Sequence, residues 1–290
     1  MKIVRPLTLQ GVLEALAMPG AQILAGGTNV MVDMKKGRLE TDLLVSSDSL
    51  VQLQEIRREK DSIMAGSLAT FDAVESCPLF AVPAYDGLTQ AAAAVGGPQI
   101  RNRGTLGGNI LCASPASDTV AAMLVLDAKL HLTDLQGQYC LPLDGFITGI
   151  RSTAKKPGQL LTAIEFPERT GRSCFYKVGN RKAMAISVVS EALYVECSDG
   201  IVSHVRIALG SVGSVVLRAV ETEQLLEGKT RQEIFAPEFM SKVRASVQNE
   251  ISPISDLRAE KSYRQMVAAN IMEANLKHLL GGDDIYGRNV

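Results

Sequence analysis

Two short glycine-bearing segments constrain this chain more than any bulk property: Ala25-Gly26-Gly27-Thr28-Asn29 and Thr105-Leu106-Gly107-Gly108-Asn109. Glycine tolerates positive φ and close backbone approach, so each segment can aim consecutive N–H groups at one anion. Gln22-Ile23-Leu24-Ala25 reads as a short buried strand feeding the first turn, and Asn29 to Lys36 as a helix halted by Gly37. A strand–turn–helix order adds the positive end of a helix dipole to the first segment. Thr28 and Thr105 offer hydroxyls, Asn29 and Asn109 offer amides, and Asp118 offers a carboxylate for sugar hydroxyls. The ligand chemistry these residue types share is that of a phosphorylated compound.

The familiar nucleotide motifs are missing. There is no G-x-G-x-x-G, so a Rossmann nicotinamide site is not supported. Gly228-Lys229-Thr230 looks like the end of a P-loop, but position 223 is Glu and no strand precedes it, so it reads as a helix-ending turn. Cys77, Cys112, Cys140, Cys174 and Cys197 lie tens of residues apart with no C-x-x-C, which excludes knuckle-type zinc and locally wound iron–sulfur motifs. An odd, scattered set suits reduced thiols of a cytoplasmic protein better than a disulfide framework. His131, His204 and His278 form no H-E-x-x-H or related spacing, so no metal is expected in this chain.

Composition narrows the partners. Thirty Lys plus Arg against 31 Asp plus Glu give a net charge of −1, and aromatic residues are only 4% with no Trp. Neither a basic nucleic-acid surface nor a base-stacking platform fits those values. No segment reaches the roughly 18 to 20 apolar residues of a membrane span. Near the N-terminus Leu9, Val12, Leu13, Leu16 and Ala17 recur at helical spacing behind Thr8, so this stretch reads as a capped amphipathic helix and not as a leader.

The organisation expected from pattern is α+β. Residues 1–55 read as a small α/β unit. Strands follow near 62–67, 129–134, 139–142 and 159–166, with helices near 70–76, 85–94 and 119–126. Pro98 to Asp118 shows neither strand nor helix period, and long patternless stretches inside domains are usually functional. The polar run Pro167 to Arg172 marks the boundary between domains 1–170 and 171–290, the first divided at about residue 55. Beyond it come strands at 173–178, 187–196 and 202–209, then helices at 217–226, 231–247 and 262–280.

Taken together and in order, ILAGGTNVMVDMKKG and IRNRGTLGGNILCASPASD resemble the FAD-binding (medium) subunit of the molybdenum hydroxylases, the xanthine dehydrogenase and carbon monoxide dehydrogenase family. The resemblance continues through GFITGIRSTAKKPGQLLTAIEFP and FYKVGNRKAMAISVVS to RAEKSYRQMVAANIMEANL, nearly the whole chain. It implies a two-subdomain FAD-binding domain of the vanillyl-alcohol oxidase type, followed by a C-terminal domain with a three-stranded antiparallel sheet and a helical bundle. It further implies that Leu24, Ala25, Gly26, Gly27, Thr28, Asn29 and Val30 hold the FAD diphosphate. Thr105, Gly107, Gly108, Asn109, Leu111 and Asp118 would hold the adenosine and ribityl portions, with Leu161 and Lys177 near the isoalloxazine.

The resemblance also assigns an oxidoreductase role in a cytoplasmic heterotrimer. Molybdopterin sits on a large partner subunit and two [2Fe–2S] clusters on a small one, and electrons reach FAD here before passing to NAD(P)+ or another acceptor. Two departures leave the acceptor open: Asn29 replaces an Asp found in many relatives, and Gly179 to Met184 lacks the acidic residues of the xanthine oxidoreductase loop. The alternatives are a free-standing flavoprotein such as a UDP-N-acetylenolpyruvoylglucosamine reductase, or an assembly module without redox chemistry.

Overall fold

The computed structural model describes residues 1–281. Its contacts form two compact units that interleave along the chain. The first takes Met1–Leu79, Gly96–Ala113 and Asp127–Glu168; the second takes Phe80–Val95, Ser114–Leu126 and, among the described residues, 169–281.

The first unit holds a two-stranded ribbon, Ile147–Gly149 with Ser152–Thr153, and two larger sheets. In the smaller, Leu43–Ser46 lies between Lys2–Val4 and Ala21–Leu24, all parallel. The helix Leu9–Leu16 starts where Thr8 accepts a hydrogen bond from Gly11 N, the expected cap. Its stripe of Val12, Leu13 and Leu16 joins Val45, Leu50 and Leu160 in one core, which is why the helix needs no charged pairs to persist. The larger sheet is antiparallel throughout, in the order Ile56–Glu59, Ser62–Gly66, Leu160–Pro167, Lys129–Thr133, Gln138–Pro142. Strands Lys2–Val4 and Ile56–Glu59 were not expected; the first is three residues long and both are largely exposed, so neither carries a readable pattern.

The patternless stretch from Pro98 contains two short helices, Pro98–Arg101 and Leu106–Cys112. Pro98 pre-sets the first turn of one, and Thr105 caps the other by accepting from Gly108 N. With only two turns and two glycines, the second helix shows too few apolar positions to register a period.

In the second unit, Arg172–Gly179, Ser187–Ser198 and Ile201–Gly210 pair antiparallel, as the sequence leads one to expect. A two-residue strand, Leu217–Arg218, pairs with Ala208 and Leu209 and makes the expected three-stranded sheet four-stranded, so the next helix starts at Val220 and not at 217. The helix expected over 231–247 is two, Arg231–Phe235 and Pro237–Glu250, because Pro237 has no N–H to continue the first. Gly228, at φ +78°, and the Thr230–Glu233 capping box make Gly228-Lys229-Thr230 a turn that ends one helix and starts the next. Lys261–Leu276 packs on this helical layer, and Leu193, Ile207, Val243 and Met272 are among the shared core. The helix Asp118–Val125 is buried on every residue, which matches its apolar composition all round. Among the described residues no helix is long and apolar enough to cross a membrane.

Candidate cofactor site

In the first unit the strand Ala21–Leu24 delivers the chain into Gly26-Gly27, and the helix Val30–Lys35 follows. Gly27 sits at φ +75°, a conformation that L side chains resist. Gly26 has no room for a side chain, since a Cβ there would lie 1.7 Å from the carbonyl oxygen of Arg103. That approach brings the turn against the chain leading into the second glycine segment. Asn29 makes a second link by donating to Cys112 Sγ (2.9 Å) at the end of the helix Leu106–Cys112. Burial pushes the Cys112 thiol up, and the Asn29 donor opposes that shift.

Among the described residues, nothing accepts a hydrogen bond from the backbone N–H of Gly26, Gly27, Thr28 or Asn29, and the Thr28 hydroxyl is likewise unpartnered. This is a run of four amide donors beside a hydroxyl, the donor set an anionic diphosphate requires. The helix after it has only six residues, so the amides carry more of this preference than a summed helix dipole does. Leu24, Ala25 and Val30 are part-buried flanks of the turn.

The carboxylate in the first turn of the helix that follows is already covered. Asp33 receives Arg151 in a two-pronged pair, Nη1 to Oδ2 at 2.9 Å and Nη2 to Oδ1 at 3.2 Å. The Arg151 hydrogen bonds hold the Asp33 carboxyl below the usual carboxylate range. Arg151 is fixed in turn by its own N–H on the carbonyl of Ala113 (3.0 Å). Neither Asp33 nor Arg151 was a sequence candidate, and no spacing signal links residues so far apart.

The second segment is built differently. Leu106 N donates to Ala69 O, Gly107 N to Ser67 O, Gly108 N to Thr105 Oγ1 and Asn109 N to Thr105 O, all within 2.9–3.0 Å. The expectation that its amides point together at an anion is therefore corrected. Gly107 is a packing glycine, because a Cβ there would meet Ser67 O at 2.7 Å. Gly108 is exposed, and a Cβ there would meet only the Thr105 hydroxyl (2.9 Å). It leaves open surface where a ligand can lie close to the backbone.

Leu111 and Leu161 line a cleft of about 680 Å³ within the first unit, with Ile23, Leu160 and Lys155 among the other walls. Burial lowers the Lys155 ammonium, whose Nζ donates to the carbonyls of Lys156 and Gln159 (both 3.1 Å).

Asp118 and Lys177 belong to the second unit and occupy each other. Lys177 Nζ donates to Asp118 Oδ2 (2.6 Å), Ala94 O (2.6 Å) and Ala185 O (3.3 Å), which uses its three protons. Ser187 donates to the other Asp118 oxygen. Burial pushes the Asp118 carboxyl up, and the lysine charge opposes it.

An α+β chain with open amides on a glycine turn, close to a glycine whose surface is free, belongs to the class that binds phosphate-bearing cofactors. Residues 1–169 match the FAD binding domain in molybdopterin dehydrogenase, and residues 174–279 match the CO dehydrogenase flavoprotein C-terminal domain. The chain is 33% identical over 232 residues to the nicotinate dehydrogenase FAD-subunit of Eubacterium barkeri, covering 77% of this chain and 78% of that one. It is 31% identical over 271 residues to the xanthine dehydrogenase FAD-binding subunit of Escherichia coli O157:H7, covering 90% and 89%. A solved carbon monoxide dehydrogenase from Hydrogenophaga pseudoflava superimposes with a TM-score of 0.91 at 26% identity, over 97% of each chain. This chain belongs to the family of FAD-binding subunits of the molybdenum hydroxylases, oxidoreductases of the xanthine dehydrogenase type.

Proposed function

We propose that this chain is the electron-transfer subunit of a molybdenum hydroxylase complex, taking electrons from [2Fe–2S] clusters on a small partner subunit and passing them to NAD+, NADP+ or another acceptor. A large partner subunit holds the molybdopterin, where substrate is oxidised. The observation that carries this reading is the run of unpartnered amides from Gly26 to Asn29, together with the family to which the chain belongs.

When bound, FAD supplies the change from single electrons to electron pairs. The chain's own residues do the holding. Gly26, Gly27, Thr28 and Asn29 donate N–H groups, and Thr28 its hydroxyl, to the diphosphate. Arg151 neutralises Asp33, so that carboxylate does not repel the incoming phosphates. Leu24, Ala25 and Val30 flank this turn. Gly108 and Asn109 offer the surface for the rest of the cofactor, backed by the buried Thr105 and Gly107, which fix the local backbone. Leu111 and Leu161 offer an apolar wall. The buried Asp118–Lys177 pair of the second unit, with all three lysine protons engaged, stays outside this cofactor surface.

The test is flavin content and electron flow in the purified protein. FAD should co-purify, and the chain should come out with a large molybdopterin subunit and a small [2Fe–2S] subunit. Substrate added to that complex should bleach the flavin absorbance. A chain that takes up no FAD sinks the proposal, and efficient substrate reduction by the isolated chain replaces it with a free-standing reductase.

A further inference from the structure

The five-stranded sheet of the first unit carries a cluster that the proposed function does not use. His131 on Lys129–Thr133, Cys140 on Gln138–Pro142 and Glu165 on Leu160–Pro167 come from three neighbouring strands. Pairing puts His131 opposite both Cys140 and Ala163, and Glu165 opposite Lys129. Alternation along each strand then turns Lys129, His131, Cys140 and Glu165 to one face, while Leu130, Leu132 and Ile164 go to the core. His131 Nε2 lies 2.8 Å from Glu165 Oε2 and 3.8 Å from Cys140 Sγ, and the three ligand atoms all fall within 4.8 Å of one another.

We propose that His131, Cys140 and Glu165 form a binding site for a divalent transition metal of the zinc class. Both the thiol and the carboxylate address the same ring nitrogen. A nucleophile–base–carboxylate relay needs them on opposite nitrogens, so the arrangement does not activate Cys140 as a nucleophile. Three donors converging on one point are instead what a cation requires. A tetrahedral zinc ion, with bonds of about 2.0 Å to N and O and 2.3 Å to S, separates N and O by ~3.3 Å and N and S by ~3.5 Å. The observed 2.8 and 3.8 Å reach those values with shifts of about half an ångström or less.

Sulfur, imidazole and carboxylate together favour zinc over calcium or magnesium, which take oxygen donors. Three protein ligands leave a fourth position for water. Binding releases the Cys140 proton to solvent, leaves the thiolate and Glu165 Oε2 on the metal, and moves the neutral His131 proton to Nδ1. Lys129 Nζ stays on Glu165 Oε1 (3.2 Å), the oxygen the metal does not need. The ion would pin the edge strand Gln138–Pro142, exposed along its whole length, to its neighbour Lys129–Thr133 and to Leu160–Pro167 beyond it.

The inference is independent of the flavin reading, and the test keeps the two apart. The FAD-loaded protein is incubated with zinc chloride, alkylated with iodoacetamide, and digested to follow Cys140 and Cys197. Cys197 is an exposed thiol of the second unit outside the cluster, and serves as the reference. Zinc should slow Cys140 alkylation about tenfold or more relative to Cys197, because a metal-bound thiolate is withdrawn from attack. Calcium and magnesium should not. His131→Ala and Glu165→Gln should each remove most of the protection while flavin content stays unchanged, which certifies their fold. In parallel, Cys140→Ser should abolish zinc retained after dialysis. Equal slowing of both cysteines, or full protection persisting in both variants, overturns the site.

Discussion

The two glycine segments look alike in sequence and behave oppositely in the structure. Each is a pair of glycines beside a threonine and an asparagine, yet Gly26 to Asn29 leave four amides open while Leu106 to Asn109 spend all four on Ala69, Ser67 and Thr105. The first is a donor surface; the second is a helix start packed onto the loop that follows Ser62–Gly66. The lesson is that a glycine pair states where the backbone is close to something, and only the neighbours decide whether that something is protein or ligand. The same contrast of open against closed separates the turn from the second unit, where Asp118 and Lys177 satisfy each other.

The contrast breaks first at Gly26. Gly26→Val sets a side chain against the Arg103 backbone, which cannot swing aside as a side chain can, and should destabilise the first unit by about 3 kcal/mol or more. Soluble yield and thermal midpoint measure this, and a variant as stable as the parent refutes the close approach. Lys177→Met comes next. It leaves the buried Asp118 carboxylate without its cation, with an expected loss of about 3 kcal/mol in denaturant unfolding.

Gly107→Ala meets the Ser67 carbonyl and should cost about 1–2 kcal/mol, with flavin retained by the fraction that folds. Gly108→Val separates ligand from packing. Its stability should shift by no more than about 1 kcal/mol, while the FAD dissociation constant rises about tenfold, or 1.4 kcal/mol. Normal flavin content in Gly108→Val, measured by absorbance after desalting, removes this residue from the cofactor surface.

The prediction most diagnostic on titration belongs to Glu191. It is fully buried, accepts from Asn275 Nδ2 (2.8 Å), and its second oxygen has no partner among the described residues. Burial pushes its carboxyl up to about 8 from an ordinary 4.5. Between those values the folded chain keeps a proton that the unfolded chain releases, so stability falls as pH rises from about 4.5 to about 8. Glu191→Gln should flatten that fall in urea midpoints measured from pH 5 to 9; an unchanged slope assigns it elsewhere.

Much of the architecture was legible. The Thr8-capped helix and the long strands of both units show in their apolar spacing because each buries one face or both. What pattern could not show were elements too short to carry a period, such as Leu106–Cys112 and Leu217–Arg218, and the break imposed by Pro237. Interleaving of the two units was also invisible, because the helices Asp86–Ala93 and Asp118–Val125 carry no local mark of which core they join. Of the site, the glycines and threonines announced themselves by type. Arg151, Asp33 and Cys112 did not, since their partners lie 83 to 118 residues away in the chain.

The sequence by itself determined the family, the α+β class and the residue types able to meet a phosphate, because turn chemistry and hydrophobic period are local properties written residue by residue. Only the tertiary structure decided which amides stay free, which charges cancel, and that a histidine, a cysteine and a glutamate from three strands converge. Those outcomes depend on register and close approach between distant segments, and hydrogen bonds and ligand geometry are set within tenths of an ångström that no linear spacing encodes.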